Sequence, residues 1–97
     1  MTDQSQKRAV QAVVAGRVQG VGFRQFVQRA AQELNVTGWV SNREDGSTVE
    51  LQAEGREADL LRLIELVRTG PAGARVDEID VEWITPPGQT GPFQIRT

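Results

Sequence analysis

The chain contains no cysteine and no histidine. The first absence excludes disulfides, thiolate nucleophiles and cysteine-based zinc sites. The second removes the commonest metal ligand and the usual general base near neutral pH. Any catalysis must therefore run on amides, guanidinium groups, carboxylates, hydroxyls, backbone N–H groups or the substrate's own atoms. Long apolar runs are missing too, since none approaches the ~20 residues a membrane helix needs. The stretch Met1 to Arg8 is polar and lacks the apolar centre of a signal peptide, so the expected compartment is the cytoplasm. Nor is there a basic excess. The 11 Lys and Arg against 13 Asp and Glu leave a net charge of -2, with no basic cluster as a footprint for nucleic acid.

What is present is the material of one ordinary domain. A length of 97 residues leaves no room for a second core. Residues 1–8 read as a flexible lead and residues 9–97 as the domain. From Ala9 to Val18 a Val- and Ala-rich run predicts a central strand, closed by three glycines between Gly16 and Gly22. Phe23, Phe26, Val27, Ala30 and Leu34 recur at helical spacing and predict a helix from about Gly22 to Asn35, with Asn35 capping its end. Residues 37–42 follow as a strand, and Glu44-Asp45-Gly46-Ser47 as a turn. Val49, Leu51 and Ala53 alternate with Glu50, Gln52 and Glu54 as a half-buried strand that Gly55 is expected to break.

A second helical stripe is predicted on Ala58, Leu60, Leu61, Ile64 and Val67, to about Arg68. Ile79, Val81 and Trp83 alternate as a fourth strand, and Phe93 with Ile95 suggests a short last one. The order βαββαβ predicts a ferredoxin-like α+β sandwich. Two helices would cover one face of an antiparallel sheet of four or five strands, with the other face solvated or carrying the site.

The segment Gly16-x-Val18-Gln19-Gly20-Val21-x-Phe23-Arg24 joins a strand to a helix N-terminus. Glycines let successive N–H groups converge, the helix start adds partial positive charge, and a first-turn arginine adds bidentate donors. This reads as a cradle for an anion the size of a phosphate or carboxylate. A loop that merely turns the chain, followed by a solvated arginine, is the competing reading. Two other cradles are excluded: a P-loop needs Gly-Lys-Ser/Thr, and a dinucleotide fingerprint needs Gly or Ala at position 25, which is Gln.

Gly16–Arg24 resembles the signature of the acylphosphatase family, and Gly38-Trp39-Val40-Ser41-Asn42 resembles its second signature. Their spacing, the element order, Trp83 and the ending Phe93-Gln94-Ile95-Arg96 fit the same family over roughly residues 9–97. The resemblance implies hydrolysis of the carboxyl–phosphate bond of acyl phosphates, with no cofactor and no metal. It implies that Arg24 binds the phosphoryl group together with loop amides matching Gln19, Gly20, Val21, Gly22, Phe23 and Arg24. It also implies that Asn42 orients the attacking water. Inorganic phosphate is then both product and inhibitor, and neither nucleic acid nor membrane is a partner. The hairpin after Asn42 departs from the family pattern: the glycine is kept at Gly46, but Ser47-Thr48 precede Val49, one residue more than usual.

The chemistry of the residues agrees with this. A carboxylate leaves readily, so its protonation is not essential. A loose phosphoryl-transfer transition state asks mainly for donors and positioning. Trp39 and Trp83 are expected to pack in the core or at an edge, and Glu44 and Asp45 to be turn residues. An RNA-binding sheet would expose aromatic residues, whereas strand three is expected to expose Thr48, Glu50, Gln52 and Glu54. The alternative to an enzyme is a non-catalytic anion-binding or regulatory module on the same fold. The absence of Cys-rich zinc segments favours a free-standing enzyme, with a monomer as the expected state.

Overall fold

The computed structural model describes residues 6–96. The chain forms β1 (Arg8–Arg17), α1 (Phe23–Glu33), β2 (Thr37–Asn42), β3 (Thr48–Gly55), α2 (Glu57–Thr69), β4 (Arg75–Ile84) and β5 (Gln94–Arg96). Of the expected lead, residues 1–5 lie outside the described residues, and Arg8 is already part of β1. The sheet order is β4-β1-β3-β2-β5. Four strands pair antiparallel, and the short β5 adds in parallel beside β2. The ferredoxin-like arrangement is thus present, with a mixed sheet of five strands.

Register decides which residues meet the helices. Val10, Ala12 and Val14 of β1 oppose Ala53, Leu51 and Val49 of β3, which in turn oppose Gly38, Val40 and Asn42 of β2. All of the aliphatic members are buried, and with Phe23, Val27 and Ala31 of α1 and Leu60, Leu63 and Val67 of α2 they form one core. Asn42 therefore stands on the helix-covered face, on the rung it shares with Val14 and Val49. Gly16 allows β1 to end here: its φ is +137°, and a Cβ would overlap the carbonyl oxygen of Arg75 where the β1–β4 register shifts.

Several expectations are corrected. β1 ends at Arg17, so Val18 belongs to the loop, where it is nevertheless buried in the core. β3 does end at Gly55, which is still its last paired residue and packs against Val36. On α2 the buried stripe is Leu60, Leu63 and Val67, with Ile64 beside it, while Ala58 and Leu61 face outward. The spacing 60, 63, 67 follows the helical period, and Leu61 lies about 100° round the helix from Leu60. Of the residues expected to be exposed on β3, Thr48 and Glu54 are buried. Asp45 binds Thr48, and two amides of a crossing segment bind Glu54.

The ends of α1 are built differently. At its C-terminus Asn35, at φ 57°, takes the left-handed position, with Val36 N–H bonded to Ala31 O at 2.9 Å and Asn35 N–H to Gln32 O at 3.2 Å. This pairing closes the helix in a Schellman motif. Trp83 is 40% exposed on the edge strand β4, under the guanidinium of Arg8 at 4.1 Å from the ring centroid. Trp39 lies on the sheet face away from the helices, under Arg96 at 4.9 Å. β4 is a ten-residue edge strand, and Asp77, Glu78, Asp80 and Glu82 stand exposed along it. No described helix is long and apolar enough to cross a membrane.

The corrected stripe gives a direct contrast on one helix. Leu63 is 1% exposed and Leu61 47%. Leu63→Ala should cost about 2–5 kcal/mol of folding stability, and Leu61→Ala less than about 0.5 kcal/mol. Urea denaturation of the two variants checks this, and equal midpoints would contradict the assigned face.

Candidate active site

The turn from β1 into α1 alternates pegs and gaps. Val18 is buried, Val21 is half-buried against the core, and Phe23 opens α1 with its ring fully inside. Between these pegs Gly20 and Gly22 carry no side chain, so the backbone faces outward uncovered. Gly22 sits at φ 75° as the N-cap and makes no side-chain capping bond, and the first turn of α1 holds no acidic residue. Phe26 N–H, at 3.1 Å from Gly22 O, is the first to find a helical acceptor. The amides before it point at the site with their share of the helix dipole.

A pocket of about 340 Å³ opens at this point, lined by Val18, Gly20, Gly22, Phe23, Arg24, Gln25, Asn42 and Ile95. Arg24 is the one ionisable residue in that lining, and among the described residues no carboxylate pairs with it. A single guanidinium beside unpaired amides favours one small anion. Asn42 enters from the end of β2. Its Oδ1 is buried and has no hydrogen-bond partner among the described residues. Leaving such an acceptor unmatched costs about 1–3 kcal/mol, so a small O–H donor is favoured beside it.

Of the residues singled out in the sequence, Gly20, Gly22, Phe23, Arg24 and Asn42 come together around this pocket. Gln19 and Val21 do not line it. Val21 is a peg, and Gln19 is a strap whose Nε2 donates to Arg43 O at 2.9 Å and to Thr48 O at 2.8 Å. Those two carbonyls belong to the base of the β2–β3 hairpin, next to Asn42. Gln19 thereby ties the anion loop to the strand end that carries Asn42. The sheet's uncovered face, the other place considered for the site, holds none of these groups.

The turn of the β2–β3 hairpin lies wholly beyond Asn42. The β2–β3 ladder runs to the pair Asn42 and Val49, and Arg43 N–H bonds Thr48 O at 2.9 Å. Asp45 then closes the turn, its Oδ1 accepting from Ser47 N–H at 2.8 Å and Thr48 N–H at 2.9 Å. Three further residues line the pocket without a site role expected of them: Val18 and Ile95 lie within segments that carry the family resemblance, and Gln25 is signalled only by its place in the first helical turn.

Fold and geometry together define a small α+β protein in which an uncapped helix start, Arg24 and the amide of Asn42 meet at one pocket. The chain belongs to the acylphosphatase family, whose pattern matches residues 10–95. It is 49% identical over 90 residues to an acylphosphatase of Salinibacter ruber, covering 93% of this chain and 94% of that one. It superposes on the crystal structure of acylphosphatase from Bacillus subtilis with a TM-score of 0.88 at 40% identity, over 93% of this chain and 99% of the other. The whole chain also matches 13% of full-length HypF, crystallised in a phosphate- and nucleotide-bound form, with a TM-score of 0.89 and 33% identity.

The cradle predicts anion-dependent stability. Inorganic phosphate at 100 times its Kd should stabilise the fold by about 2.7 kcal/mol, raising the melting temperature. Arg24→Ala should abolish most of that rise, and Arg24→Lys should recover little, lacking the planar fork. Thermal melts at constant ionic strength check this, and equal shifts in all three proteins would remove Arg24 as the ligand.

Proposed function

We propose that this chain hydrolyses the carboxyl–phosphate bond of acyl phosphates, releasing a carboxylate and inorganic phosphate. One observation carries the reading: the unpartnered Asn42 Oδ1 stands at the edge of the pocket that Arg24 and the α1 N-terminus share. An anion binder needs the donors alone. A hydrolase also needs an acceptor that orients water beside the phosphorus.

In this mechanism Arg24 and the amides around Gly20 to Arg24 hold the phosphoryl oxygens. Asn42 accepts a hydrogen bond from water and holds its oxygen in line with the scissile bond. The water oxygen attacks phosphorus, and the P–O bond to the acyl group breaks with its electron pair going to the departing carboxylate. An amide is a poor base, so a phosphoryl oxygen takes the water's proton. Charge spread over three phosphoryl oxygens meets donors already in place, so little reorganisation is needed. Gln19 keeps the two halves of the site in register. The protein acts as a cytoplasmic monomer on a small-molecule substrate.

The donor set supports a metal-independent reaction, since the chain has neither His nor Cys and no three carboxylates gather among the described residues. Benzoyl phosphate hydrolysis should proceed unchanged in excess EDTA. A rate lost to EDTA and restored by a divalent ion would overturn the scheme.

Asn42→Ala should lower kcat about 100-fold with a small change in KM, as misplacement of the nucleophile predicts. Steady-state kinetics on acetyl or benzoyl phosphate checks this, and an unchanged kcat would assign water to another residue. Absence of turnover by the unaltered protein, with phosphate still bound, would instead favour the anion-binding module.

A further inference from the structure

The connection between β4 and β5 has a task that its length does not solve. These strands are the two edges of the sheet, so residues 85–93 must pass the ends of β1, β3 and β2. Four strand spacings amount to about 19 Å. Nine extended residues reach about 30 Å, which leaves β5 free to land in several registers. β5 has three residues and few rungs of its own, yet it delivers Ile95 to the wall of the pocket.

Glu54 stands midway along this crossing. It lies on the central strand, on the rung that links Ile84, Ala9, Glu54 and Thr37 across the sheet. At 4% exposure it is the one buried ionisable side chain among the described residues. Its Oε1 accepts from the amides of both Gly88 and Gln89 at 3.0 Å. Gln89 adds a second tie to the same strand ends, its Nε2 donating to Gly38 O at 2.8 Å. Bonds from amides to an ionised carboxylate are about twice as strong as neutral ones. A nonpolar residue at position 54 would keep the sheet but release the crossing.

Beyond the tie, Phe93 is fully buried, and its carbonyl accepts from Gln28 of α1 at 3.2 Å. Ile95 then pairs with Val40, two residues before Asn42 on the same face. The order of constraint thus runs from Glu54 through Phe93 to Ile95 and the pocket.

We propose that Glu54 is a positioning residue of the active site, whose buried carboxylate sets where the crossing lands and so seats Ile95 beside Asn42. Glu54 lies five residues along the ladder from the rung of Asn42, about 17 Å away, and touches neither substrate nor cradle. The proposal rests on the acyl phosphate reading given above. It adds that the wall at Ile95 shields the water held by Asn42 and leaves phosphate binding to the α1 end.

The test is a double-mutant cycle on Glu54→Gln and Ile95→Ala, with benzoyl phosphate as substrate and inorganic phosphate as inhibitor. Glu54→Gln keeps shape and one acceptor oxygen but loses the charge. Each single variant should lower kcat/KM about fivefold, mainly through kcat, while the Ki of phosphate stays within about twofold. The double variant should be no worse than the poorer single one, because both changes remove the same contact. Gln89→Ala, which removes one neutral donor of the same tie, should show a smaller loss of the same kind and serves if Glu54→Gln does not fold. The methyl NMR signal of Ile95 should shift in Glu54→Gln, a readout that needs no turnover. A lower melting temperature with unchanged kcat/KM and an unmoved Ile95 signal would make Glu54 merely structural. Multiplying losses in the double variant, or a phosphate Ki weakened as much as kcat/KM, would equally overturn the proposal. An inactive unaltered protein would defeat the hydrolase reading, and the Ile95 signal would still decide the role of Glu54.

Discussion

The site depends on one constraint: the first turn of α1 has no cap. A helix start carries amides that cannot be paired within the helix, and most helices quiet them with a Ser, Thr, Asp or Asn side chain. Here the capping position is Gly22 in the left-handed conformation, without a side chain to offer. The amides stay available only because the loop cannot fold back over them. Val18 and Phe23 are sunk in the core on either side, and Gln19 is engaged with the hairpin. Burial thus keeps a polar surface open at the helix start.

Sheet geometry fixes the second half of the arrangement. Arg24 follows β1 and Asn42 ends β2, yet these strands are not neighbours, because β3 lies between them. The ends of these two strands are therefore held two interstrand spacings apart, about 10 Å in all. A site spread over two strand ends and one helix start is held by the most cooperative part of the molecule. The exposed hairpin at residues 43–47 can accept an additional residue without disturbing it, since the length is taken up on the far side of the last rung.

Much of this was legible in the residues. Alternation in β1 and β3, the glycines around the first turn and the spacing of the two signatures led to the element order and to the pairing of Arg24 with Asn42. The failures have physical causes. On α2, seven apolar residues within ten positions leave two neighbouring stripes possible, and only the packed partner selects Leu63 over Leu61. Alternation on β3 reports which face Glu54 occupies but not that a segment from the far edge will cover it. Ile95 enters the pocket through a parallel pairing between residues more than fifty positions apart, which no local pattern encodes. Local periodicity names faces, and long-range closure decides what lies against them.

The two borders of the sheet are blunted in different ways. β5 offers only three residues, too short a template for another chain to grow upon. β4 offers ten, but four carboxylates stand along it, and a second copy laid antiparallel against that border would set like charge against like. Strand-by-strand addition, the first step toward fibre growth, is opposed on one side by brevity and on the other by repulsion. The acidic residues of β4 do not line the pocket. They keep a small, strand-rich molecule from becoming the seed of its own aggregate.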